Sequence, residues 1–407
     1  MEAPLIEVPD GTITTPKGFR AGATTAGIRD SAPGRLDLAL LASDRPCAAA
    51  AVYTKSKVMG PPLHITKRHL ADGRAQAIVA NSGIANALTG EPGMADAAEM
   101  AGLAGGKLGI SGDDVVVAST GVTGWRLPMD RIRAAVPRIA LTEDGGDAFA
   151  HAIMTTDTVA KQAAVRFEHG GLLYAVGGAA KGSGMIHPDM ATMLGFMTTD
   201  AAVDGALLQT LLSDAVEDSF NMITIDGDTS PEDMVVLLAN GATARNGDVI
   251  DAGHAAAPLL RAALQHVAVT LSRKLARDGE GAGKLLEVRV DGAASADDAR
   301  LAAKAIVGSL LVKTAVYGND PNWGRVLVAA GYSGAELDEP RTSLSIQDVE
   351  VYRDGAGVEF DPAALSAGLQ QTEVRFRLDL GLGEGSATAW GCDLTPEYVR
   401  INSEYTT

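Results

Sequence analysis

The 407-residue chain carries 51 acidic against 34 basic side chains, a formal net charge of −17, which excludes the concentrated positive surface that nucleic-acid phosphates demand. Hydrophobic residues make up 46% and aromatic residues only 4%, so a core large enough for two or three domains, or for one domain with two lobes, must be packed from Ala, Val, Leu and Ile. Two cysteines, Cys47 and Cys392, are too few for a disulfide framework or a thiolate zinc site and read as small buried side chains in a reducing compartment.

The first segment, MEAPLIEVPDG, has acids and prolines where a secretion signal needs a basic start and an apolar run. No apolar stretch reaches the ~18 residues of a spanning helix, so no membrane insertion and a cytoplasmic location are expected. In chain order, strands are expected at 48–54, 75–82 and 114–120, then at 284–290, 309–317, 344–352 and 374–383, where β-branched and apolar residues alternate or run together. Helical periodicity marks 95–109, 128–140, 205–220, 258–278 and 295–309. The interleaving makes the class α/β, or α+β, with layered sheets and helices. Candidate breaks fall at 143–146, 246–249 and 291–298; none has the composition of a flexible linker, and there is no internal repeat.

The common chemical signatures fail. GYSGA (331–335) lacks the second spacing glycine of a nucleophile elbow, and GEGAGKL (279–285) ends in Leu285 where a phosphate loop needs a hydroxyl, so both read as turns. The seven histidines never pair at metal-ligand spacing, so no metal site is expected.

What remains is AVGGAAKGSGMIHPDMATMLGFMTTDA (175–201). Glycines 182 and 184 let backbone fold around a bound group, Lys181 can meet a carboxylate, and small Ala191 leaves its carbonyl open to the Thr192 hydroxyl. Cleavage there would free an α-amine, titrating near ~7.7–8.0, to serve as the base for the same residue's hydroxyl. Taken alone, the segment reads more readily as a structural Gly-rich turn before an apolar strand than as a nucleophile site. His187, five positions upstream, would end on the other fragment and reads as a turn residue rather than a base.

KGSGMIHPDMATML (181–194) resembles the cleavage motif of the ornithine acetyltransferase family, the bifunctional glutamate N-acetyltransferases. STGVTGWRLPMDRI (119–132), AIMTTDT (152–158), SFNMITIDGDTS (219–230), RDGEGAGK (277–284), LVKTAVYGNDPNWGR (311–325) and CDLTPEYVRINSEYTT (392–407) extend the likeness in order along essentially the whole chain.

The resemblance implies a layered α/β fold with two lobes, cut between Ala191 and Thr192 into chains 1–191 and 192–407 that assemble as a two-alpha, two-beta heterotetramer. It casts Thr192 as nucleophile and Thr120 with Gly121 as the oxyanion pair, a setting otherwise read as a strand-ending turn. It assigns substrate contacts to Thr155, Lys181, Thr192, Glu280, Asn402 and Thr407. Without it, Glu280 is a solvated loop acid, Asn402 a turn residue and the tail a frayed end.

The implied reaction moves acetyl from N-acetylornithine to glutamate in cyclic arginine biosynthesis without a cofactor, with acetyl-CoA open as a second donor. The alternatives are a related self-processing amidase or peptidase and a non-enzymatic binding protein that keeps the fold but never matures. Departures from the family pattern at Ile84, Leu88, Asp189 and Met222 bear on substrate preference and leave room for a specialised-pathway paralogue.

Overall fold

The computed structural model describes residues 5–29, 34–187, 193–245 and 247–404. The strands of the first sheet are β1 (Ile6–Glu7), β2 (Phe19–Thr24), β3 (Leu38–Tyr53), β4 (Arg74–Ile84), β5 (Val115–Val122), β6 (Lys161–His169), β7 (Leu172–Lys181), β8 (Leu194–Thr199) and β9 (Met234–Ala239). They run β1-β6-β7-β8-β9-β3-β4-β5, with β2 paired to β3. β8 and β9 are parallel and buried at every residue, the environment that favours their unbroken apolar and small side chains.

The second sheet contains β10 (Leu285–Ala293), β11 (Ser343–Ile346), β12 (Val349–Arg353), β13 (Ala356–Gly357), β14 (Glu373–Asp379) and β15 (Gly385–Cys392), ordered β13-β12-β11-β14-β10-β15. β14 alternates buried and exposed residues, as a strand covered on one face must. The two sheets and their helices form the mixed α/β architecture expected from the sequence.

Helix Ala257–Arg277 lies between the sheets, against β6 and β7 on one side and β10 and β15 on the other. Its buried Leu260, Leu264, Val267, Leu271 and Leu275 join the largest core cluster. The close approach depends on Gly178 of β7, where a Cβ would come within 3.0 Å of both Leu271 and Val267. Helices Pro61–His69 and Gly90–Leu108 pack beside β5, and their buried Ile65, Met100 and Ala104 share a separate core with Val115 and Val117.

Two expectations are corrected. Residues 309–317 form no strand: Leu310–Tyr317 is a helix, capped by Ser309, which accepts from Val312 N. Its apolar run hid a helical period, because Val312, Ala315 and Val316 are buried while Leu310, Leu311 and Tyr317 face out. Residues 344–352 hold two strands, since Gln347 and Asp348 both take left-handed φ (49° and 64°) and turn the chain back from β11 into β12. Among the described residues no helix is long and apolar enough to cross a membrane.

Candidate active site

The end of β5 is built around backbone that only glycine tolerates. Gly121 has φ 127°, and a Cβ there would sit 2.3 Å from the Gly83 carbonyl carbon on neighbouring β4. Beside it, Thr120 is 6% exposed, and its Oγ1 accepts a hydrogen bond from Lys181 Nζ at 2.7 Å. Lys181 is the last residue of β7, and its ammonium also lies 3.4 Å from Thr155 Oγ1. Burial in the cavity wall pushes the lysine below its ordinary pKa, while Asp157, Asp233 and Glu280 pull the other way.

A second part of the wall comes from the far half of the chain. The turn after helix Ala257–Arg277 brings Glu280 over Gly184, where a Cβ would lie 2.5 Å from the Glu280 carboxyl carbon. Glu280 N donates to Ser183 O at 2.8 Å, and its Oε2 accepts from Asn402 Nδ2 at 2.7 Å. Asn402 and Tyr398 lie one turn apart on helix Pro396–Glu404 and reach the same cavity. Tyr398 donates to Asp226 Oδ2 at 3.3 Å, and Asp226 also accepts Met185 N (2.6 Å) and Ile186 N (2.9 Å).

These groups enclose a cavity of about 140 Å³. It gathers six of the residues singled out in the sequence: Thr120, Gly121, Thr155, Lys181, Glu280 and Asn402. Ala191, Thr192 and Thr407 lie outside the described residues, as does Asp189. The chain is described to His187 and again from Met193, and Met185 and Leu194, on either side of that interval, both line the cavity. His187 instead lines a separate cleft with Met222, its Nδ1 3.0 Å from Thr224 Oγ1. Ile84 is buried in a core and Leu88 is 70% exposed, and neither lines the cavity.

Sequence reasoning missed the acidic wall formed by Asp226, Asp228, Glu232 and Asp233. Burial holds the Asp233 carboxyl well above its usual range despite the opposing Lys181 charge and a hydrogen bond from Ser230 N at 3.0 Å. Glu232 is raised in the same way, first by burial and then by Asp233, and neither of its carboxyl oxygens has a hydrogen-bond partner. They lie against Gly60, where a Cβ would fall 1.4 Å from Oε1. A readable signal existed: two adjacent acids immediately precede the wholly apolar MVVLLA of β9.

Chemically, the cavity gathers a cation, a hydroxyl, a glycine backbone and the Glu280 carboxylate around one space. That arrangement suits a molecule bearing both a carboxylate and an amino group, with a polar corner for an oxygen that gains charge. Among the described residues no three His, Cys, Asp or Glu side chains are grouped to hold a metal ion.

Known proteins agree along the whole length. The profile of the ArgJ family matches residues 20–407. The arginine biosynthesis bifunctional protein ArgJ of Symbiobacterium thermophilum is 54% identical over 98% of this chain and 99% of its own. The protein of that description from Dehalococcoides mccartyi is 50% identical over 100% of both. A solved chain of arginine biosynthesis bifunctional protein argJ from Bacillus halodurans, 43% identical with a TM-score of 0.51, covers 53% of this chain and 100% of its own length. With half its residues identical to such relatives from end to end, the chain belongs to the ArgJ family.

Proposed function

We propose that this chain is the ornithine acetyltransferase of arginine biosynthesis, cutting itself between Ala191 and Thr192 and using the freed Thr192 to carry acetyl from N-acetylornithine to glutamate. Fragments 1–191 and 192–407 remain together, pair into a two-alpha, two-beta heterotetramer and act in the cytoplasm. Acetyl-CoA serves as a second donor, in keeping with the bifunctional description of the relatives.

The Thr192 α-amine takes the proton from its own Oγ1, which attacks the acetyl carbonyl. Negative charge gathers on the carbonyl oxygen, received by the Thr120 hydroxyl and the Gly121 N–H, while Lys181 donates to Thr120 from behind. Collapse breaks the C–N bond, the amine returns its proton to the departing ornithine nitrogen, and acetyl stays on Thr192 as an ester. Glutamate's amino group then attacks that ester, and the Thr192 oxygen regains its proton. Lys181 meets the substrate α-carboxylate and Glu280, steadied by Asn402, its far amino group, with Thr155 and Thr407 completing the contacts.

The observation that carries this reading is the convergence of Thr120, Gly121, Thr155, Lys181, Glu280 and Asn402 on one cavity that Met185 and Leu194, on either side of the interval containing Thr192, also line. The share covered by the solved Bacillus halodurans chain, 53%, equals the share that residues 192–407 make up, and so fits a mature fragment. The deciding experiment is the denatured intact mass of the wild type and Thr192→Ala, followed by acetyl transfer. Two fragments meeting at 191/192 in the wild type alone, with transfer to glutamate, are expected. A single intact chain in both overturns the proposal, and acetate release without transfer replaces it with an amidase.

A further inference from the structure

Lys161 opens β6 with its side chain fully buried, and it is not among the residues lining the cavity. Its ammonium meets Asp157 Oδ1 at 2.5 Å, Asp278 Oδ2 at 2.6 Å and Val159 O at 3.3 Å, so three donors have three acceptors. Asp157 grips the active-site wall directly, and Asp278 ties the start of the Glu280 turn to Lys161 and Thr158. Asp157 accepts Gly182 N at 2.7 Å through Oδ1 and Thr155 N at 2.9 Å through Oδ2, fixing the backbone next to Lys181 and that of Thr155. Asp278 accepts Thr158 N at 3.0 Å and the Thr158 hydroxyl, and stands two residues before Glu280 at the start of its turn.

A second tie closes the loop: Glu280 N bonds Ser183 O, while Ser183 Oγ lies 2.6 Å from Thr156 Oγ1. Burial pushes the Asp157 carboxyl up, yet the Lys161 and Lys181 charges bring it below its usual range, so the network holds Asp157 ionised in the interior. Charge-assisted hydrogen bonds of this kind are roughly twice as strong as neutral ones.

We propose that Lys161, through Asp157 and Asp278, is a positioning residue that sets the separation between Lys181 and Glu280 and thereby the length of diamino acid the site accepts. The inference rests on reading those two residues as contacts to opposite ends of the substrate. One methylene alters the end-to-end span of a diamino acid by roughly 1.3 Å, and misplacement of about 1 Å is enough to cost catalysis up to a hundredfold. Asp278 is the informative position, because its loss removes the Lys161 and Thr158 anchors ahead of the Glu280 turn, leaving that turn to the Ser183 tie, while the Asp157–Lys161 grip on Gly182 stays.

The test uses purified processed enzyme and acetyl transfer from N-acetylglutamate to ornithine and to the diamino acids one methylene shorter and longer. In Asp278→Ala the kcat/KM preference for ornithine over its neighbours should fall at least about tenfold, the lower bound for discrimination of a single methylene. Asp278→Asn, whose amide oxygen can still accept Lys161 and Thr158 N while its NH2 faces the Thr158 hydroxyl, should restore most of the preference. If Asp278→Ala does not fold, Thr158→Val, which removes only the hydroxyl tie, should lower the same preference measurably. A lost overall rate with an unchanged ratio in the folded variants overturns the positioning role. A wild type that transfers acetyl to none of the three overturns this inference together with the reading beneath it.

Discussion

At the scale of single residues, the site concentrates groups whose ordinary chemistry has been altered by burial. Thr120 is one: buried, donated to by Lys181, and beside Gly121, its hydroxyl proton is free to point at an incoming oxygen. Thr120→Ala should therefore keep the fold and slow acetylation of Thr192 by about 10²–10³-fold, the usual loss for one oxyanion donor; single-turnover acetyl labelling measures it, and an unchanged rate removes Thr120 from the mechanism. Glu232 is another. Its carboxyl is held above the ordinary value of 4.5, so between that value and the folded-state pKa the folded protein keeps a proton the unfolded chain has lost. Stability then falls as pH rises through that window. Glu232→Gln cannot ionise, so its thermal midpoint should drop less than the wild type's between pH 5 and pH 8. Parallel decline in both proteins would mean that Glu232 is charged throughout.

At the scale of elements, legibility in the sequence followed from how much of an element's character is local. Helix Gly205–Glu217 was readable because Asp204 accepts Ala206 N at 3.0 Å and Leu207 N at 3.1 Å, ahead of buried Leu208, Leu211 and Leu212 at helical spacing. Asp204→Ala should cost about 1 kcal/mol, seen as a lower thermal midpoint, and Asp204→Ser should recover most of it. Leu310–Tyr317 was misread because eight residues of mixed β-branched and long side chains carry little more than two helical turns of signal. The strand read across 344–352 failed for a different reason: Gln347-Asp348 is a weaker turn signal than the Asn-Gly or Asp-Gly pair that a two-residue hairpin favours. In the site, the strand-end glycines and Lys181 were legible because each lies within one motif. The Glu232 environment was not, because the residue pressing on its carboxyl is Gly60, more than a hundred positions away at the start of helix Pro61–His69.

At the scale of the whole molecule, the proposed cut falls where the two fragments are least able to part. In the first sheet β8 and β9, from 192–407, lie side by side between β7 and β3, both from 1–191. β7 pairs with β8 from Val176↔Thr199 to Lys181↔Leu194, and β9 pairs with β3 from Ala48↔Ala239 to Tyr53↔Met234. Buried side chains reinforce the seam, as Thr198 Oγ1 donates to Ile13 O at 2.6 Å and Thr199 Oγ1 to Ala175 O at 2.8 Å. Removing the second fragment would leave the first with a split sheet and two buried edges stripped of partners, each unpaired backbone group costing on the order of 1–3 kcal/mol. Cleavage should thus alter covalent structure and little else. Wild-type protein that gives two bands under denaturing conditions should elute from a sizing column as one species with both fragments in equal amount, and should release them only in denaturant. Fragments that elute apart in native buffer would contradict this strand order, because β8 and β9 would then have to stand without their neighbours.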